Sequence, residues 1–203
     1  MMYFMREFIY YSRTAPTSGN FGPDLMKAGR LDIAIHSVIA VFFLSNSIRD
    51  DVILHLIFAG KPDPPKHLEI NPVLEEKTEI EKVYLSKKDV AGLIKRMLYK
   101  YKKDKKSEVF QGYWIEKKGL GELAEELNRE ERNLYLLDKK GQDIRKVEIK
   151  ERPVFILGDH IGLPKKELKR LKKICKSISV GNKEYFASQT VTIVNNELDR
   201  RGI

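Results

Sequence analysis

Cysteine is almost absent. The single Cys175 excludes an internal disulfide framework and a cysteine-based zinc centre. Histidine is scarce too: His36, His55, His67 and His160 show no metal-ligand spacing, and no metal is expected. Long apolar runs are missing. The longest, Ile33 to Leu44, is interrupted by His36 and Ser37 and falls well short of the roughly 20 residues that span a bilayer. No basic-then-apolar leader with a small-residue cleavage site opens the sequence, so a cytoplasmic protein without a membrane partner is expected. The signatures G-x-G-x-x-G and G-x-x-x-x-G-K-[ST] are absent as well, which speaks against dinucleotide and P-loop chemistry.

What is present is charge, unevenly placed. Lys and Arg number 38 against 29 Asp and Glu, a net charge of +9. Lys82 to Lys106 alone carries +8 and Lys165 to Lys176 carries +6, so the remainder of the chain is net acidic. Clustered cations are the footprint of a nucleic-acid binder, because phosphate neutralisation supplies affinity that falls with salt. A solvated lysine-rich helix face is the other reading of each cluster. Charged residues at 33% and hydrophobic residues at 42% describe a folded chain, and 203 residues suffice for one large domain with a real core.

Periodicity predicts an α/β chain. Phe4 to Tyr11 reads as a strand, and Ser12 to Arg30 as a loop too long and glycine-rich for simple connection. Leu31 to Ser45 reads as a helix with Leu31, Ile35, Val38 and Phe42 in one stripe. Val52 to Ala59 is an apolar strand. The four prolines of GKPDPPKHLEINP exclude helix and suggest an exposed, stiff connection. Lys87 to Lys103 is a basic amphipathic helix, Phe110 to Ile115 a strand and Gly121 to Asn128 a short helix. From Leu134 the order is strand (LYLLD), strand (VFILG), helix to Cys175, strand (SISV) and helix Tyr185 to Arg200. Cys175 is expected as a buried small hydrophobe in the apolar spacing of its lysine-rich helix. One α/β unit with parallel strands, spanning residues 1–203, is the expectation.

Three strand ends in the last third carry glycine-containing or polar turns: LLDKKGQD, ILGDHIG and SISVGNKEYFAS. If their strands are parallel, all three emerge at one sheet edge, where open α/β sheets bind ligands. ILGDHIG taken singly also reads as an ordinary tight strand-to-helix connection. A pocket of this kind is built mainly of backbone N–H and C=O groups, which suits a flat adenine edge better than a highly charged phosphate.

The segments MREFIYYSRTAPTSGNF, AGRLDIAIHSVIAVFFLSNSIRDDV, LYLLDKKGQDIR, VFILGDHIGLPKKE and SISVGNKEYFASQTVTIVNNELDR carry a family resemblance. The chain resembles the SPOUT superfamily of knotted, S-adenosylmethionine-dependent RNA methyltransferases. Within it, the chain is most similar to the archaeal tRNA (pseudouridine-54 N1)-methyltransferase family, TrmY. The resemblance spans nearly the whole chain and is thinnest over Lys82 to Lys106. It implies a SPOUT-type parallel sheet flanked by helices, with a trefoil knot over about residues 134–203. It also implies a homodimer with the active site at the subunit interface, the helix Tyr185 to Arg200 being the candidate surface. S-adenosylmethionine is the implied cofactor, held by Leu136, Leu137, Gly158, Asp159, Ile178, Ser179, Val180, Gly181, Asn182, Lys183 and Ala187. Such proteins tend to begin at the Met-Arg-Glu-Phe, which leaves Met1 and Met5 as alternative starts.

The implied reaction moves a methyl group from a sulfonium to N1 of pseudouridine in the tRNA T-loop. The donor is already electrophilic, so the protein must align nitrogen with methyl carbon and accept the N1 proton. Neither task needs a metal. Arg30 and Asp32 resemble the Arg-x-Asp element of pseudouridine N1-methyltransferases, with Asp32 as base and Arg30 holding a phosphate or base carbonyl. Near a helix start, Asp32 also reads as a cap or dipole partner, and Arg30 as an ordinary ion-pairing residue. RNA contacts are expected from Arg13, Ser18 and Asn20 in the long loop, from Arg49, and from Lys165 and Lys166. Asp159 reads as a residue of the cofactor loop, while its neighbour His160 is not expected to act in catalysis. Two other readings fit the same residues: N1-methylation of pseudouridine in ribosomal RNA, and a non-catalytic RNA-binding assembly factor of the same fold.

Overall fold

The computed structural model describes residues 5–71 and 86–203. Phe4, expected to open the first strand, and Lys82, at the edge of the first basic cluster, lie outside the described residues. Along the chain come β1 (Arg6–Ser12), α1 (Leu31–Phe42), β2 (Val52–Phe58), β3 (Lys66–Ile70) and α2 (Lys87–Tyr99). They are followed by β4 (Ser107–Phe110), β5 (Tyr113–Glu116), α3 (Leu120–Arg129) and β6 (Asn133–Asp143). The last elements are β7 (Pro153–Gly158), α4 (Lys165–Leu171), β8 (Lys176–Ser179) and α5 (Ala187–Arg201).

The strands form one sheet in the order β4-β5-β3-β2-β1-β7-β6-β8. From β2 to β8 the neighbours are parallel, whereas β3, β5 and β4 extend the sheet as antiparallel partners. Strands buried on both faces need apolar character throughout, and β1, β2 and nearly all of β7 are buried along their length. Alternate side chains then divide the core. Phe8 and Tyr10 pack with Leu54 and Leu56 against α1, α2 and α5, while Ile9, Tyr11 and Ile57 pack with Leu120, Leu123 and Leu127 of α3 and Leu171 of α4.

Four expectations need correction. The proline-rich stretch contains no helix among its described residues, Gly60 to Asn71, but it is not wholly an exposed connection: Lys66–Ile70 is a largely buried strand paired antiparallel to β2. Six residues separate Pro65 from the next proline, and the period-two inward pair Leu68 and Ile70 is enough to seat them. Phe110 to Ile115 is not one strand but the turn of a hairpin between β4 and β5, because Gly112 reverses the chain at φ 79°. The sheet is consequently mixed rather than purely parallel. Cys175 lies beyond the end of α4 and is only half-buried.

Candidate functional site

Because β7, β6 and β8 are adjacent and parallel, the three loops expected to meet do leave the sheet on one side. They enclose a cavity of about 340 Å³, within the range of small-molecule sites. Leu136, Leu157, Leu163, Ile178, Val180 and Ala187 form its apolar wall, and Ile33 from the first turn of α1 reaches it from outside the loops.

The loop after Leu137 is an excursion within a strand. β6 pairs with β8 through Leu137 and Ile178, leaves the ladder, and returns with Gln142 opposite the same Ile178. That return presses Gly141 onto the Ile178 backbone, where a Cβ would lie 2.5 Å away, so only glycine fits. Asp138 in this loop is ion-paired with Lys172 at 3.0 Å.

The second loop is fastened by Asp159. One carboxylate oxygen accepts hydrogen bonds from Ser12 Oγ (3.1 Å) and Arg13 N (2.8 Å), the other from Ile161 N (2.9 Å). Asp159 thus ties β7 to the end of β1 while His160, its neighbour, is exposed. In the third loop Ser179 Oγ donates to Gly181 O (2.8 Å) and accepts from Gly181 N (3.1 Å). Lys139 of the first loop meets Glu184 of the third at 3.1 Å.

Beside the cavity, Arg30 holds Asp32 through two parallel hydrogen bonds of 3.0 Å each, Nε to Oδ1 and Nη2 to Oδ2. Such a fork is charge-assisted and fixes orientation. The Arg30 guanidinium holds the Asp32 carboxyl below the usual carboxylate range. Arg30 adopts the left-handed conformation (φ 57°, ψ 37°) directly after Gly29 (φ 60°), a reversal that folds its side chain back on the first turn of α1. Asp32 makes no cap of α1 and does not itself line the cavity, but the adjoining Ile33 does.

Of the residues expected to hold a cofactor, Leu136, Leu137, Gly158, Asp159, Ile178, Ser179, Val180, Gly181, Lys183 and Ala187 line the cavity, whereas Asn182 does not. Sequence reasoning missed Ile33, Leu163, Leu168 and Thr190. Thr190 follows Ala187 by three positions, so helical spacing was a usable signal; Ile33 had none. The charge of the lining is informative. Asp138, Asp159 and Glu184 face Lys139, Lys183 and the Lys172 that pairs with Asp138, so the cavity carries no excess of positive charge for a polyphosphate. The apolar wall and strand-end main chain fit the flat base, so the residues present fit S-adenosylmethionine.

The expected RNA contacts divide. Arg13, Asn20, Lys165 and Lys166 are exposed and Ser18 is half-buried. The 18–21 loop rests on the basic helix α2: Lys95 Nζ donates to Phe21 O (2.9 Å), and Gly19 abuts the Tyr99 ring. Arg49 is elsewhere. It is ion-paired with Asp199 of α5, in an open groove of about 500 Å³ between α1 and α5.

Residues 5–203 match the family described as "Putative SAM-dependent RNA methyltransferase". The tRNA (pseudouridine(54)-N(1))-methyltransferase of Methanocaldococcus jannaschii is 34% identical, over 98% of this chain and 98% of its own. The enzyme of the same name from Thermococcus kodakarensis is 32% identical over 96% and 99%. Among solved structures, Archaeoglobus fulgidus Nep1 bound to S-adenosylhomocysteine superposes with a TM-score of 0.64 at 13% identity, covering 98% of this chain and 100% of that one, a likeness of fold. With the family pattern matched from Met5 to the last residue, on a fold whose strand-end cavity suits the methyl donor, the chain belongs to this family of S-adenosylmethionine-dependent RNA methyltransferases.

Proposed function

We propose that the protein methylates N1 of the T-loop pseudouridine, position 54, in tRNA. It does so as a cytoplasmic homodimer in which residues 1–203 form one SPOUT domain knotted in its C-terminal third. The observation that carries the chemistry is the convergence of three parallel-strand loops on one cavity, with Ile33 in its wall and the Arg30–Asp32 pair alongside. Bound S-adenosylmethionine supplies an electrophilic methyl group. The cavity aligns it with the pseudouridine N1, and such alignment can contribute roughly 7–11 kcal/mol. Asp32 accepts the N1 proton as the N–CH₃ bond forms and the S–CH₃ bond breaks. Arg30 keeps the Asp32 carboxylate ionised and aimed.

The tRNA assignment rests on the names of the two archaeal relatives, similar over nearly their whole length. The 18–21 loop on basic α2, Arg13 beside the β7 loop, and Lys165 and Lys166 at the start of α4 supply backbone-binding cations around the site. The knot rests on the resemblance of the quoted segments to SPOUT methyltransferases. The groove between α1 and α5, with Ile39, Ala40 and Phe43 half-buried and Leu44 exposed, supports a second copy docking there. No metal takes part in the transfer.

Purified protein incubated with labelled donor and pseudouridine-containing tRNA or ribosomal RNA, followed by digestion and mass spectrometry, tests the reading. The expected product is N1-methylpseudouridine at tRNA position 54. Label on uridine N3 or a ribose oxygen defeats the chemistry, and label confined to ribosomal RNA moves the substrate. Absence of both transfer and donor binding by calorimetry leaves the non-catalytic RNA-binding factor. The Asp32→Asn variant is expected to keep donor and RNA affinity while turnover falls about 10²–10⁴-fold.

A further inference from the structure

Strand pairing puts a cluster of lysines on the same edge of the sheet as the cavity but far along it. β1 and β7 end together, Tyr11 opposite Gly158, and Ser12 closes β1 opposite Phe58 of β2. Lys66 opens β3 opposite that same Phe58. Glu116 ends β5 opposite His67, and Ser107 opens β4 opposite Ile115. Residues 100–106, which lead into β4, therefore emerge at the edge where the parallel strands end and the cavity lies. None of them lines that cavity. Five inter-strand steps separate β7 from β4, and at about 4.8 Å each they amount to roughly 24 Å.

Residues 100–105 hold Lys100, Lys102, Lys103 and Lys105 against Asp104 alone. All four lysines are exposed, and none forms an ion pair among the described residues, unlike their neighbours Lys106 with Glu69 and Lys117 with Asp63. Asp104, left-handed at φ 56°, reverses the chain so that Lys102 and Lys105 stand opposite each other in a bridge. Like charges directly opposed cost stability, and a polyanion relieves that cost. Exposed Lys61 after β2 and Arg13 after β1 continue the cationic edge toward the cavity, and Asp63 between them is neutralised by Lys66 and Lys117.

We propose that Lys100, Lys102, Lys103 and Lys105 form a second RNA-binding surface, which takes the phosphate backbone of a base-paired stem while the loop at the end of that stem enters the cavity. The inference rests on the methyl-transfer reading of the cavity. A duplex is favoured over a single strand because single strands are held by stacking on open aromatic faces. The rings near this turn are already engaged. Lys66 lies over Tyr101 at 3.7 Å, Arg96 over Phe110 at 5.1 Å and Lys106 over Trp114 at 5.4 Å, while Tyr99 abuts Gly19. A paired stem offers phosphates and 2′-hydroxyls instead, which suit unpaired ammonium groups. Contacts to phosphate position the substrate without reading its sequence. The surface thus selects loops that have a helix of sufficient length behind them.

Full-length protein is tested on three RNAs sharing one pseudouridine-containing T-loop. One has a short stem, one has that stem extended by a further helical turn, and one carries the extension as a single strand. Fluorescence anisotropy across a salt series gives the slope of log affinity against log salt. The wild type is expected to show a steeper slope on the extended duplex than on the other two. The double variant Lys102→Gln, Lys105→Gln is expected to lose about 2 from that slope, about 0.9 per lost phosphate contact, and nothing on the short hairpin. Its KM for the extended stem rises, while kcat and donor binding by calorimetry stay unchanged. Equal slopes on the short and extended duplexes, or an equal loss on both in the variant, overturn the proposal. A single-stranded extension that matches the duplex overturns the stem as partner. Absence of methyl transfer to any of the three, with the stem-dependent slope retained, removes the methylation reading and leaves the surface standing.

Discussion

Arg30 and Asp32 show how two residues acquire a joint property that neither has alone. The fork between them depresses the carboxyl pKa, so Asp32 is ionised above that lowered value and loses its charge only as pH falls through it. Arg30→Met removes the fork and raises the pKa toward the ordinary aspartate value of about 3.9. The acid limb of kcat/KM against pH is therefore expected at higher pH in the variant than in the wild type. Coincident limbs would show that another group titrates. Cys175 behaves in the opposite direction: burial pushes its thiol up to about 12. Its thiolate fraction at neutral pH is then roughly a thousandth of an ordinary cysteine's, and alkylation is expected to be correspondingly slow, as iodoacetamide kinetics would record. Both residues stood out in the sequence. Their pairing and environment did not, because a left-handed Arg30 and a helix ending at Leu171 depend on what packs around them.

At the scale of elements, helices with a clear apolar stripe were legible. Ala187, Val191, Val194 and Leu198 are all buried on α5, as their spacing required. β3 was obscured by its prolines, and the β4–β5 hairpin by reading Gln111-Gly112 as strand rather than turn. The contact between two histidines was not legible there: their spacing shows no pattern, and His55 meets His67 only because β2 pairs with β3. The excursion of β6 makes a sharper claim. Gly141→Ala places a methyl group against the Ile178 backbone, an overpacking that typically costs about 1–3 kcal/mol. A lowered melting temperature and weaker donor binding by calorimetry are expected together. Unchanged values for both would mean that the β6–β8 contact is not what shapes the cavity.

The whole molecule concentrates cations around the loop and helix beside the site and leaves an apolar-sided groove between α1 and α5. Light scattering across a dilution series is expected to give twice the chain mass of 23.6 kDa. The α1–α5 substitution Ala40→Glu, which puts a charge on that groove, is expected to shift the mass toward one chain. A wild-type monomer at all concentrations would remove the dimer. Sequence alone determined the charge balance, the apolar stripes, the three strand-end turns and the family pattern, because each is carried by residues close together in the chain. The tertiary structure decided which of them meet. Ile33 joins a cavity built over a hundred residues later, Arg49 is drawn to Asp199, and two histidines on neighbouring strands end nose to nose. Pairing across a sheet sets those distances, and no local spacing encodes it.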